Sequence, residues 1–150
     1  MHMNDKITVF TKGLLDFMYW AGILTTALVP AIIHFYGRYN SYFAENDWQL
    51  TLLFLLSGAL AVLILHQLRQ IFGSVLADDC FVMSNVASLR RMGNYAFGIA
   101  ALAALRIFLY LTPSVIIVIL TFVIAGLFSK VLAVVFEKAI TYKLENDLTI

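Results

Sequence analysis

Apolar residues fall into four long runs, residues 14–36, 49–68, 95–111 and 115–136, separated by short polar intervals. Each is close to the roughly 20 residues that an α-helix needs to cross the hydrocarbon core of a bilayer. The pattern therefore predicts four membrane spans. Pro30 lies in the later part of the first run, where neighbouring helices can re-satisfy the freed carbonyl, so a mild kink is expected there. Beyond the second run, Ile71, Phe72, Val75 and Leu76 continue an apolar stripe at helical spacing, and the helix is expected to outlast the span. Thr112-Pro113-Ser114 reads as a tight turn in which Thr112 caps and Pro113 starts the fourth helix. That helix opens on a Val/Ile-rich segment that would suit a strand in water, but its uncharged length decides for a span.

The polar interval between the second and third runs, residues 69–94, is the longest. Its Asp78 or Asp79 is suited to cap a new helix. Val82, Val86, Leu89 and Gly93 then recur at spacings of four, three and four, which predicts an amphipathic helix along the bilayer surface, with Arg90 and Arg91 reaching phosphates or a partner. Residues 137–150 form a polar helical tail. Ala96, Ala100 and Ala104 in the third run, and Ala125, Ser129 and Ala133 in the fourth, make small-residue stripes that let helices approach closely, within one bundle or in a homo-oligomer. The expected fold is all-α. It is an integral membrane four-helix bundle forming a single domain over residues 1–150, with an amphipathic cytoplasmic connector helix between spans 2 and 3.

Composition agrees with the pattern. Apolar residues make up 62% of the chain and charged residues 13%, with mean hydropathy +0.90, far from a soluble domain. The first run is too long for a signal-peptide core, contains Asp16 and lacks a small-x-small cleavage pattern, so it reads as a retained span. Lys6, Lys12, Arg69, Arg90, Arg91, Lys138 and Lys143 flank the ends assigned to one side, against Arg38 in the first loop of the other. The positive-inside rule places both termini and the connector in the cytoplasm. A net charge of +1 gives no field for direct nucleic-acid binding. Cys80 is the only cysteine, which excludes an internal disulfide, and Asp78 and Asp79 beside it disfavour the thiolate.

No nucleophile elbow, metalloprotease motif, phosphate loop or dinucleotide fingerprint occurs, so neither enzyme activity nor a cofactor is expected. His34 and His66 fall near opposite membrane surfaces and no metal site is expected. Three ionisable residues lie within the runs. Arg106 costs roughly 2.5–3.5 kcal/mol at span centre on insertion scales, which makes it a candidate ligand holder; the plainer expectation is that it snorkels outward or pairs with Glu45 or Asp47. Asp16 and Lys130 fall at similar predicted depth, and a structural bridge between them is expected.

Phe81, Asn85, Val86, Leu89, Arg90 and Gly93 follow an aromatic-x-x-x-Asn-Val-x-x-Leu-Arg-x-x-Gly pattern, and the chain ends Glu145-Asn146-Asp147-Leu148-Thr149-Ile150. Together these resemble the DUF2975 family of small bacterial membrane proteins of unknown function. The resemblance implies a multi-pass protein of the bacterial cytoplasmic (inner) membrane, and a protein partner such as a small helix-turn-helix transcription regulator. The positions carrying it, Asn85, Leu89, Arg90, Arg91, Glu145, Asn146, Asp147, Leu148, Thr149 and Ile150, are the candidate partner-binding surface. These two segments are expected to meet under the bundle as one surface that either binds the partner or only closes the fold, the latter with Leu148 and Ile150 tucked against the connector. The alternative is a small transporter, channel or ligand sensor built on Arg106.

Overall fold

Helix α1, Lys6–Tyr36, runs without interruption through Pro30, and helix α2, Asp47–Leu76, carries the second apolar run well past Leu68 as its stripe predicts. Helix α3, Met83–Leu105, is followed by a single 3-10 turn, Arg106–Phe108. Helix α4, Pro113–Thr149, takes in both the fourth run and the polar tail. The computed structural model describes residues 6–39, 47–77, 81–108 and 112–149. The four helices pack in chain order, α1 on α2, α2 on α3 and α3 on α4. Each pair is antiparallel: Asp16 meets Arg69, Ser74 meets Asn85, and Arg90 meets Glu137.

Three of these helices, α1, α2 and α4, are long and apolar enough to cross a membrane. At 1.5 Å per residue they are about 45–55 Å long, longer than the roughly 30 Å hydrocarbon core. The third helix, about 35 Å long by the same rise, carries Arg90, Arg91 and Asn94 in its first half and is the least apolar of the four.

That first half is the main departure from the sequence reading. A separate connector helix along the bilayer is not formed. The Val82, Val86, Leu89, Gly93 spacing belongs to the opening turns of α3, and Val86, Leu89 and Gly93 are buried against the neighbouring helices. Nothing from Gly93 to Tyr95 stops a helix, because a single glycine costs only about 1 kcal/mol there. Val82 stands at the N-cap in extended backbone without a side-chain cap; Asp78 and Asp79, the expected caps, lie outside the described residues. At the other turn the expectation holds. Thr112 Oγ1 accepts from the Val115 amide at 3.4 Å, and Pro113 takes the first helical position, where its missing amide costs nothing.

The core sits between α2, α3 and α4, where Ile71, Val86, Leu89, Met92 and Ala133 form one buried cluster. Small residues set the α3–α4 spacing in a register slightly different from that expected. Ala96, Ala100 and Ala103 are buried on α3, and Gly126, Ser129 and Ala133 on α4, whereas Ala125 is exposed. A Cβ on Gly126 would lie 2.6 Å from the Phe97 ring, and one on Gly93 would lie 2.9 Å from the stem of Lys130. An aromatic ring cannot yield as a flexible chain end can. Gly126→Ala is therefore expected to lower stability by about 1–3 kcal/mol through overpacking. Gly13→Ala, with nothing within 4 Å, should not lower it and should gain up to about 1 kcal/mol of helix propensity. Thermal unfolding of the two variants in detergent, followed by circular dichroism, checks this, and equal midpoints would refute the packing account.

Candidate functional site

Antiparallel packing gathers the start of α1, the end of α2, the start of α3 and the later part of α4 at one end of the molecule. Most of the basic residues lie at that end. Asp16 is its first organiser. Its carboxylate accepts from Lys12 Nζ at 2.8 and 2.9 Å, one turn away on α1, and from Arg69 Nε on α2 at 2.6 Å. The Arg69 guanidinium also lies 4.3 Å over the Tyr19 ring, and that ring stacks beside His66 at 5.8 Å. His66 shares a 3.3 Å hydrogen bond with Gln70. Two cations around one carboxylate leave a net positive cluster that ties α1 to α2.

The expected Asp16–Lys130 bridge is not made. Helix α4 packs on α3, two helices away from the α1–α2 interface, and Lys130 instead donates to Asn94 Oδ1 at 2.6 Å. Its stem crosses the notch left by Gly93, so the third and fourth helices touch along the lysine side chain itself. About two turns along α4, roughly 10 Å nearer that end by helical rise, Glu137 accepts from Arg90.

Asn85 and Leu89 are not on a surface. Asn85 is 2% exposed; its Nδ2 donates to Ser74 Oγ at 2.7 Å, and that hydroxyl donates to the Ile71 carbonyl at 2.6 Å. Leu89 is part of the buried cluster. The first link is a polar clamp between α2 and α3. Gln67, on the same face of α2, is also buried, and its Oε1 accepts no hydrogen bond among the described residues.

Among the described side chains of the C-terminal motif, those of Glu145 and Leu148 are not packed against the opening of α3. Helix α4 leaves the core after Ile140, and from Thr141 to Asn146 and at Leu148 the side chains are exposed, Leu148 by 86%. Leu148 thus points away instead of tucking in. The side chains of Asp147 and Thr149, and Ile150 altogether, lie outside the described residues. The Phe81 ring, just ahead of α3, packs instead on α4, 5.1 Å from the ring of Phe136.

Arg106, at the opposite end, lies 4.9 Å over the Phe54 ring of α2, and its Nε finds no acceptor among the described residues. Glu45 and the Asp47 side chain, its expected partners, lie outside them. The groove beside it, about 500 Å³, is lined by Leu56, Leu60, Leu102, Leu105 and three small residues, with no ionisable group. This is the setting of an arginine held by an aromatic face. Tyr19, Arg69, Ser74, Asn94 and Glu137 were not singled out in the sequence, and their partners lie 11 to 53 positions away, too far for any local pattern.

Because Asn85 is enclosed, its substitution should act through the fold. Asn85→Ala is expected to cost about 0.5–1.5 kcal/mol by removing the hydrogen bond to Ser74 Oγ that joins α2 to α3. Ser84→Ala, at the exposed neighbour, should stay within about 0.5 kcal/mol. Unfolding in detergent of both variants measures this, and an Asn85→Ala midpoint matching wild type would contradict the clamp.

The model of a family described as "Protein of unknown function (DUF2975)" matches residues 29–150. No curated protein and no solved structure matches the chain.

Proposed function

The chain belongs to the DUF2975 family of proteins of unknown function, and we propose that this member is a multi-pass protein of the bacterial cytoplasmic membrane that engages a protein partner. In this reading all four helices span the membrane, α3 included, with both termini in the cytoplasm and no catalysis performed. The observation that carries it is the end of α4. This helix continues for more than two turns after leaving the core, presenting Tyr142, Leu144 and Leu148 beside Lys143 and Glu145. Exposed apolar side chains on a charged helix outside the packed core are what a helix-in-groove partner requires. A small helix-turn-helix transcription regulator is the partner implied by the family motifs. Transport or ligand sensing through Arg106 draws less support, since its guanidinium rests on Phe54 beside an apolar groove.

The topology is tested with the single cysteine. A membrane-impermeant maleimide should label Cys80 only after cells are opened, whereas Ser114→Cys in a Cys80→Ser chain should be labelled in intact cells. Labelling of both in intact cells, or the reverse order, would reject the arrangement. Partner engagement is tested by copurification from membranes with any small helix-turn-helix regulator encoded beside the gene. Deleting Glu145–Ile150 should abolish recovery without shifting the unfolding midpoint, and equal recovery, or none from wild type, would overturn the reading.

A further inference from the structure

The stretch that follows the family pattern carries two adjacent arginines here, Arg90 at the pattern's own arginine and Arg91 beside it, and the structure gives them different surroundings. Arg90 turns towards α4 and pairs with Glu137. Arg91 turns towards α2 and, among the described residues, makes no ion pair, although it is exposed. It lines a groove of about 370 Å³ between the end of α2 and the start of α3, together with Gln70, Ser74, Ser84, Asn85 and Ser88. Among the described residues, no carboxylate lines this groove, and Ala87 is the one apolar member.

We propose that this groove binds a phosphate group, carried by a lipid headgroup or free in solution, with Arg91 as its charged anchor. Phosphate needs a cation and several donors converging from one side, and a guanidinium can give two parallel hydrogen bonds. Ser84 and Ser88, one turn apart on α3, supply hydroxyl donors on the wall that Arg91 shares, and the Gln70 amide faces them from α2. The first turn of α3 adds to this. Val82 gives it no side-chain cap, so the positive end of a 23-residue helix stands beside Ser84 with no side-chain cap among the described residues. The floor is already fixed, because Ser74 and Asn85 satisfy each other. The site can therefore take an anion without rearranging the core. The lipid source alone rests on the topology proposed above; the anion chemistry does not, nor does it involve the α4 tail.

Native mass spectrometry of the full chain in neutral detergent tests the site. The probes are phosphatidic acid, phosphatidylcholine as the zwitterionic comparison, and inorganic phosphate as competitor. Wild type should retain phosphatidic acid over phosphatidylcholine, and Arg91→Gln should weaken that retention roughly tenfold, as loss of one charge-assisted contact implies. Ser84→Ala/Ser88→Ala should weaken it less. Arg90→Gln should bind like wild type; if breaking the Glu137 pair unfolds that variant, Lys138→Gln provides the comparison, being an exposed cation outside the groove. Displacement by millimolar phosphate assigns the site to a soluble phosphate, and resistance to it assigns the site to lipid; either supports the groove. Equal losses in Arg91→Gln and the comparison variant would mean diffuse surface charge, and no preference for phosphatidic acid together with no phosphate binding would mean no site. Both results overturn the proposal.

Discussion

The close approach of α3 to α4 is the contact on which the other arrangements depend. Where helices lie in lipid there is no water to expel, so association relies on packing and on hydrogen bonds made at short range. Gly126 admits the Phe97 ring and Gly93 admits the Lys130 stem. Only at that separation can Lys130 reach Asn94 and Arg90 reach Glu137. The two glycines and two polar links lie along one seam. A helix with two arginines in its first half can thus sit against a strongly apolar neighbour.

The α1–α2 pair is held differently. One carboxylate, Asp16, gathers Lys12 and Arg69, and Arg69 is flattened on Tyr19. In water such a part-exposed cluster would contribute little, about 0.2–1 kcal/mol for a pair. Near a bilayer the alternative for each cation is poorer, and the cluster is more valuable as a device that fixes register. It also fixes which end of the hairpin is basic. Because Asn85 and Ser74 join α2 to α3 at the same end, the charge bias read along the sequence becomes a real asymmetry of the molecule.

Much of the helix layout was legible in the sequence because apolar run length is a local property. The extension of α2, the Thr112–Pro113 start of α4 and the continuous tail all followed from neighbouring residues. What was missed is non-local. Val82, Val86, Leu89 and Gly93 have the spacing of any amphipathic helix, and periodicity cannot say whether the apolar face meets lipid or another helix. Asn85 and Leu89 looked like surface because they stand beside arginines, yet each faces the core. Asp16 and Lys130 were matched by depth alone, which ignores that α1 and α4 have α2 and α3 between them.

The adjacent arginines show how helix geometry separates functions that the sequence places side by side. Successive residues on an α-helix point about 100° apart, since 3.6 make a turn. Positions 90, 94 and 97 therefore form one stripe, and these are the positions that meet Glu137, Lys130 and Gly126 on α4. Positions 84, 88 and 91 form another, along the groove shared with α2. Arg90 holds α4, while Arg91 makes no ion pair among the described residues. Two arginines side by side thus take one structural role and one open to an anion. The axis of α3 divides them: the face towards α4 closes the fold, and the groove towards α2 is where an anion can be received.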